Sequence, residues 1–269
     1  MFSRLRMIPQ DEITIERLGR ALWRRILSAP HALSWYLQRL TMSEYILRLE
    51  EFKGAHHGKR CFILGNGPSL AKMDLAPLKN EITFVLNRIY LHFPSMGFEP
   101  TYFICMNELV LEQSMEAINE LGMPRFLNWN RRHLFIEDHN IAYLREIYSP
   151  HFSHDIAKGV WGGATVTFAA LQLAFYMGFQ QVFLIGVDHN YDTDGTPHKT
   201  ITSEGEDESH FTPEYFPKGF RWQLPDLNTS EYAYKLAMKA FEMDGREILD
   251  ATVGGKLEVF PKVDFYSLL

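Results

Sequence analysis

Cysteine is scarce in this chain, and long apolar runs are missing. The 269 residues hold 2 cysteines, Cys61 and Cys105, each inside an apolar segment. That number excludes a disulfide framework, and no zinc-ligand spacing accompanies them, so buried free thiols are expected. The apolar runs fall far short of the ~20 residues that a membrane-spanning helix needs. The opening MFSRLRMIPQDE has no signal-peptide hydrophobic core. The expectation is a cytoplasmic protein, with the inner face of the membrane as a place of work. Positive charge is not in excess either. A net charge of −6 argues against nucleic acid as the main partner. A P-loop lysine is also lacking. CFILGNGPSLAKMD (61–74) carries a Gly turn, but GNGPS fits neither GxGxxG nor GxxxxGK[ST], and Lys72 comes too late to replace the missing lysine.

What is present is ample material for a core, with 46% hydrophobic and 14% aromatic residues. One large α/β domain with an appended element is expected. The charge is unevenly spread. Residues 1–60 carry 11 Lys and Arg against 6 Asp and Glu, and the remainder carries 16 against 27. The basic head reads as helical over 11–53, in two or three helices with a break near Pro30. Leu18, Leu22, Trp23 and Ile26 recur at helical spacing, with Arg17, Arg20, Arg24 and Arg25 beside or opposite them. Two readings stay open for this arm (1–57): peripheral contact with an anionic membrane through 11–53, or packing on the main domain or a sister subunit in a homo-oligomer.

Residues 58–269 alternate strand and helix patterns. Strands are expected at 61–64, 82–87, 101–107, 125–129, 182–187 and 246–252. Helices are expected after the Gly turn at Pro68, over 108–121, after Gly162, and over 230–245 with Ser230 as N-cap and Gly245 as stop. Each strand is a continuous apolar run. That implies an α/β, Rossmann-like, mainly parallel sheet with helices on both faces. Residues 192–225 form a long loop-rich lid.

Ligands of such sheets bind beyond the carboxyl ends of the strands. Gly65 and Gly67 would let main-chain N–H groups approach an anion, with Ser69 and Asn66 adding side-chain hydrogen bonds. Asn87 ends its strand as an amide suited to a ribose hydroxyl or base edge, or as a plain turn residue. Gly163, Ala164 and Thr165 form a second small-residue turn, which either faces the ligand or only packs closely. Asp188, Asp192 and Asp194 are candidates for a divalent cation, although DTDG also reads as an Asp-Gly turn. His210 is the favoured general base, with His189 and His198 as competitors. Tyr191 and Tyr215 offer hydroxyls to phosphate oxygens.

GNGPSL after a strand, Asn at the end of the next, GGATV opening an apolar helix, FLIGVDHNY and a later SHF form an ordered series over about 58–260. The series resembles bacterial sialyltransferase-like glycosyltransferases. It is also similar to the group related to 6-hydroxymethylpterin diphosphokinase (DUF115). The resemblance implies an inverting enzyme that transfers an acidic sugar, sialic acid-like or Kdo-like, from a CMP-activated donor to a glycan or lipooligosaccharide acceptor. It implies no cofactor and no metal. Asn66, Asn87 and the backbone at Gly65 and Gly67 would contact CMP, and Gly163, Ala164 and Thr165 would line the donor pocket. Tyr191 would hold the leaving phosphate, and His210 would deprotonate the acceptor. Asp188-His189 is closer to the pterin-kinase-like group, which implies pyrophosphate transfer from ATP with Mg²⁺ as the alternative. A non-catalytic nucleotide-binding module is a second alternative.

Overall fold

The computed structural model describes residues 15–190 and 195–269. The chain divides into two compact units, Met1–Ser43 and Glu44–Leu269.

Among the described residues, the first unit holds one helix, α1 (Ile15–Leu40). It runs through Pro30, where the sequence predicts a break. Proline deletes one N–H bond, but a Leu-, Ala- and Arg-rich flank of good helix formers carries the helix past it. The helix ends instead at Thr41, whose N–H and hydroxyl both donate to Leu37 O, followed by Met42 in the left-handed region at φ 45°.

The second unit is built on a sheet. Its elements are, in chain order, α2 (Glu44–Glu50), β1 (Arg60–Leu64), β2 (Thr83–Leu86), α3 (Phe93–Met96), β3 (Tyr102–Cys105), α4 (Glu108–Gln113), α5 (Met115–Asn119), β4 (Arg125–Asn128) and β5 (Ile141–Leu144). They continue with β6 (Glu146–Ile147), β7 (Val160–Trp161), α6 (Val166–Tyr176), β8 (Gln181–Ile185), β9 (Thr200–Thr202), β10 (Arg221–Gln223), α7 (Leu227–Met243) and β11 (Glu247–Asp250). Seven strands pair in the order β11-β8-β1-β2-β3-β4-β5, every neighbouring pair parallel. The expected Rossmann-like α/β sheet is therefore present.

The apolar runs account for it. Cys61 to Leu64, Phe84 to Leu86, Phe103 to Cys105 and Val182 to Ile185 are all buried, as strands covered on both faces must be. Both cysteines are free and buried, and burial pushes their thiols up. Helix α6 is apolar nearly all round and buried accordingly. Its buried Gln172 is satisfied: Oε1 accepts from Ser153 N (3.0 Å), and Nε2 donates to Trp161 O (2.9 Å) and Phe168 O (3.1 Å).

Three local expectations differ. The Gly turn opens a five-residue 3₁₀ turn, Pro68–Lys72, and not an α-helix. Asp74, Pro77 and a second 3₁₀ turn, Ala76–Asn80, follow too closely for a longer helix. The helix expected over 108–121 is split at Ser114 into α4 and α5. Helix α7 begins one turn earlier than expected, because Asp226, not Ser230, caps it through Thr229 N (2.9 Å). The strand β5 and the antiparallel hairpin β9–β10 carry no clear sequence signal and were not among the expected strands.

Candidate functional site

The strand order reverses at one place. From β1 the chain proceeds to β2, β3, β4 and β5 on one side. It then returns to lay β8 on the other side of β1, with β11 beyond it. The loops after β1 and β8 therefore leave in opposite directions, and the crevice between them is where open α/β sheets bind ligands. The Gly turn follows β1, and the Gly186-Val187-Asp188-His189 turn follows β8.

The two turns are hydrogen-bonded to each other. Gly65 N donates to Ile185 O (2.7 Å), and Gly67 N donates to Gly186 O (2.8 Å). A Cβ on Gly65 would lie 2.8 Å from the Gly186 carbonyl carbon, and one on Gly67 would lie 2.5 Å from Asp188 Cγ. Both glycines are required for this approach. Asp188 then takes the place that an anionic ligand was expected to hold. Its carboxylate accepts from Ser69 N (3.1 Å) and Ser69 Oγ (2.7 Å). Burial pushes the Asp188 carboxyl above the usual range, and the Ser69 bonds only partly offset this. The N–H groups of Gly65, Gly67 and Ser69 are thus engaged inside the protein, and no long helix stands behind them.

The side chains of the two asparagines behave differently. Asn66 Oδ1 and Asn87 Oδ1 are buried without a hydrogen-bond partner. Buried acceptors in that state are rare, and an ordered water or a ligand donor would satisfy them. Asn87 also sits in the left-handed region at φ 50°, as do Ala164 (φ 60°) and His189 (φ 53°) at the same carboxyl edge. Backbone strain of this kind collects at functional sites.

The segment carrying His210 spans both asparagine turns. Phe211 N donates to Asn66 O (3.0 Å), and Arg88 N donates to the Tyr215 hydroxyl (3.5 Å). His210 stacks on Tyr215 with ring centroids 3.9 Å apart and planes 8° from parallel. Its Nδ1 contacts Asp207 Oδ2 at 2.8 Å, both side chains being buried. Arg88 donates to Tyr215 O and lies over the Phe220 ring, 4.6 Å from its centroid. Asp207 and Arg88 are site residues that the sequence reading missed. Aspartate three residues before the histidine, in DESH, is the signal that marks the first.

The second small-residue turn has a structural explanation. A Cβ on Gly163 would come within 2.6 Å of Ala233 Cβ on α7, so this glycine serves helix packing. Thr165 Oγ1 caps α6 through Thr167 N (3.3 Å) and meets Tyr234 OH at 3.3 Å. The Tyr234 ring lies beside His189, with centroids 6.3 Å apart, and His189 Nε2 contacts Glu231 Oε1 at 3.2 Å. Thr165 is thereby linked to the Asp188-His189 turn. His198 is bonded to the cap residue Asp226 at 3.1 Å. Tyr191, Asp192 and Asp194 lie outside the described residues. Among the described residues, no group of three His, Cys, Asp or Glu side chains is placed to hold a metal.

The comparisons with known proteins agree with this fold. The solved MAf glycosyltransferase of Magnetospirillum magneticum AMB-1 superposes with a TM-score of 0.50 at 17% identity. The match covers 84% of this chain and 38% of that protein, so the chain spans well under half of its neighbour's length. No curated protein matches the sequence. The family model for 6-hydroxymethylpterin diphosphokinase MptE-like proteins matches residues 37–194, from the end of α1 to the loop after β8. That is more than half of the chain, which therefore belongs to the MptE-like family.

Proposed function

We propose that the protein is a glycosyltransferase that moves an acidic sugar from a CMP-activated donor to a glycan hydroxyl, with inversion and with His210 as general base. The observation that carries this reading is the pair of orphaned acceptors, Asn66 Oδ1 and Asn87 Oδ1, spanned by the His210 segment. Ribose hydroxyls and the exocyclic amino group of cytosine supply donors for both. The nucleoside then lies at the switch point, and the sugar lies toward His210.

In this reading Asp207 accepts from His210 Nδ1–H and fixes the tautomer, so that Nε2 is the nitrogen that takes the acceptor proton. As the proton leaves, the acceptor oxygen bonds to the anomeric carbon. The bond from that carbon to the phosphate oxygen breaks, and CMP departs. Negative charge developing on the phosphate is met by the amide N–H₂ groups and the Thr165 hydroxyl, with Tyr191 in the same role. Segment 192–225 excludes water that would otherwise hydrolyse the donor.

The family match supports a second reading, pyrophosphate transfer from ATP with Mg²⁺. The matched region includes Asp188 and ends before Asp207 and His210. A binding screen separates the two. Thermal shift with CMP, UDP, GDP and ATP, each with and without Mg²⁺, should show stabilisation by CMP that is independent of the metal. Stabilisation by ATP only in the presence of Mg²⁺ selects the second reading. Nucleotide binding with no turnover of any CMP-sugar leaves a binding module.

A further inference from the structure

We propose that α1 lies along an anionic lipid surface as a peripheral anchor, a role independent of the reaction. With about 100° of rotation per residue, Leu22, Ile26, Leu33, Leu37 and Leu40 fall within about 40° of one line along the helix. All five are at least half exposed, from 50% at Leu37 to 62% at Leu33 and Leu40. Trp23 and Tyr36, equally exposed, border this stripe on its two sides. Amphipathic aromatic rings at the edges of an apolar face suit the headgroup boundary.

The charge of the helix selects the occupant. Its 26 residues contain arginine at 17, 20, 24, 25 and 39 against a single acidic residue, Glu16. A second copy laid on the same face would bring together two helices that each carry five arginines against one glutamate, so net charge disfavours that pairing. An anionic lipid surface attracts the same net positive charge, which an amphipathic interfacial helix carries on its polar side. A spanning role is excluded for this helix: no helix among the described residues is long and apolar enough to cross a membrane. A helix with a long apolar stripe, aromatic borders and a basic remainder lies in the interface plane.

The test is co-sedimentation of the full chain with vesicles of phosphatidylcholine alone, or with about one third phosphatidylglycerol. Binding to the anionic vesicles should be at least about tenfold tighter and should weaken as salt rises. The double variant Ile26→Asp/Leu33→Asp should lose it, and Arg24→Gln/Arg25→Gln should weaken it several-fold, on the order of the effect of two basic residues. Tryptophan emission should shift to the blue on anionic vesicles, and Trp23→Phe should remove most of that shift. Circular dichroism checks that each variant is folded, and the Arg24→Gln/Arg25→Gln pair leaves the apolar stripe untouched if the aspartate pair unfolds. Equal partition into both vesicle types, no binding, or binding unchanged in the folded variants overturns the proposal. So does wild type that ignores vesicles but forms a dimer, by sedimentation velocity, which the aspartate pair abolishes.

Discussion

Asp188 is the residue on which the two Gly-rich turns converge. A half-buried carboxylate whose pKa is pushed up is held against Ser69 only because Gly67 has no side chain. Gly65 and Gly67 therefore differ in what an added methyl would strike. At Gly65 the obstacle is the main chain of Gly186, and at Gly67 it is the movable Asp188 side chain. Gly65→Ala should cost about 3 kcal/mol of stability, because a neighbouring parallel strand end cannot yield cheaply. Gly67→Ala should cost less in urea unfolding yet dislodge Asp188 from Ser69, visible as a changed Ser69 amide shift by NMR. A second residue-level expectation concerns the Asp207–His210 pair. Asp207→Asn keeps the volume but no longer fixes the His210 tautomer, so kcat should fall about a hundredfold or more. On the proposed reading the CMP dissociation constant should stay within about twofold, since Asp207 contacts His210 and would not touch the nucleoside. Equal losses in kcat and in binding would place Asp207 in structure only.

At the scale of elements, the start of α7 joins the β9 segment to the body of its unit. Asp226 caps the helix through Thr229 N and also holds His198, which precedes β9. Burial by itself raises the Asp226 pKa. The bonds from His198 and Thr229 outweigh that and bring the carboxyl down to about 2. An aspartate whose folded pKa is depressed stabilises the fold above its unfolded value of ~3.9, and that contribution is lost as pH falls toward the folded value. Asp226→Asn, which keeps a capping oxygen, should therefore lower stability at pH 7 by on the order of 2 kcal/mol. The gap between variant and wild type should close between about pH 4 and pH 2. Urea midpoints at several pH values measure this directly, and a gap that stays constant with pH would refute the ionic origin. The order of elements here was only partly readable. Pro68 and Ser69 signal a helix start, but Asp74 and Pro77 cut it to a 3₁₀ turn. Ser230 and Asp226 are both good caps, and Asp226 prevails because its carboxylate also has His198 to bind.

At the scale of the whole molecule, the return of the chain to β1 governs both site and stability. Strand β1 is central only because β8, more than a hundred residues later, pairs with its free side. A chain ending after residue 176 lacks β8 and β11 and leaves the apolar edge of β1 open. It should aggregate or unfold without a cooperative transition by circular dichroism, even though five strands of the sheet remain. Such distant parallel pairing also makes refolding slow, because loop closure precedes the contacts that reward it. Refolding of the full chain from urea should accordingly extend to seconds or longer in stopped-flow fluorescence.

Local chemistry by itself determined the parallel α/β class, the buried thiols, the principal strands and the basic amphipathic arm. Each depends on near neighbours: continuous apolar runs need cover on both faces, and a 3.6-residue period makes one helix face. The Gly turn was legible as special, because two glycines beside a strand end imply close approach. What they approach was decided only in three dimensions, where β8 settles beside β1 and brings Asp188 onto Ser69. The same return uses the N–H groups of Gly65, Gly67 and Ser69 within the protein. It leaves Asn66 and Asn87 as the unpartnered acceptors, and places Asp207 and His210 across them from a loop about 120 residues further along. No local pattern encodes those meetings, because they arise from strand order and not from neighbouring residues.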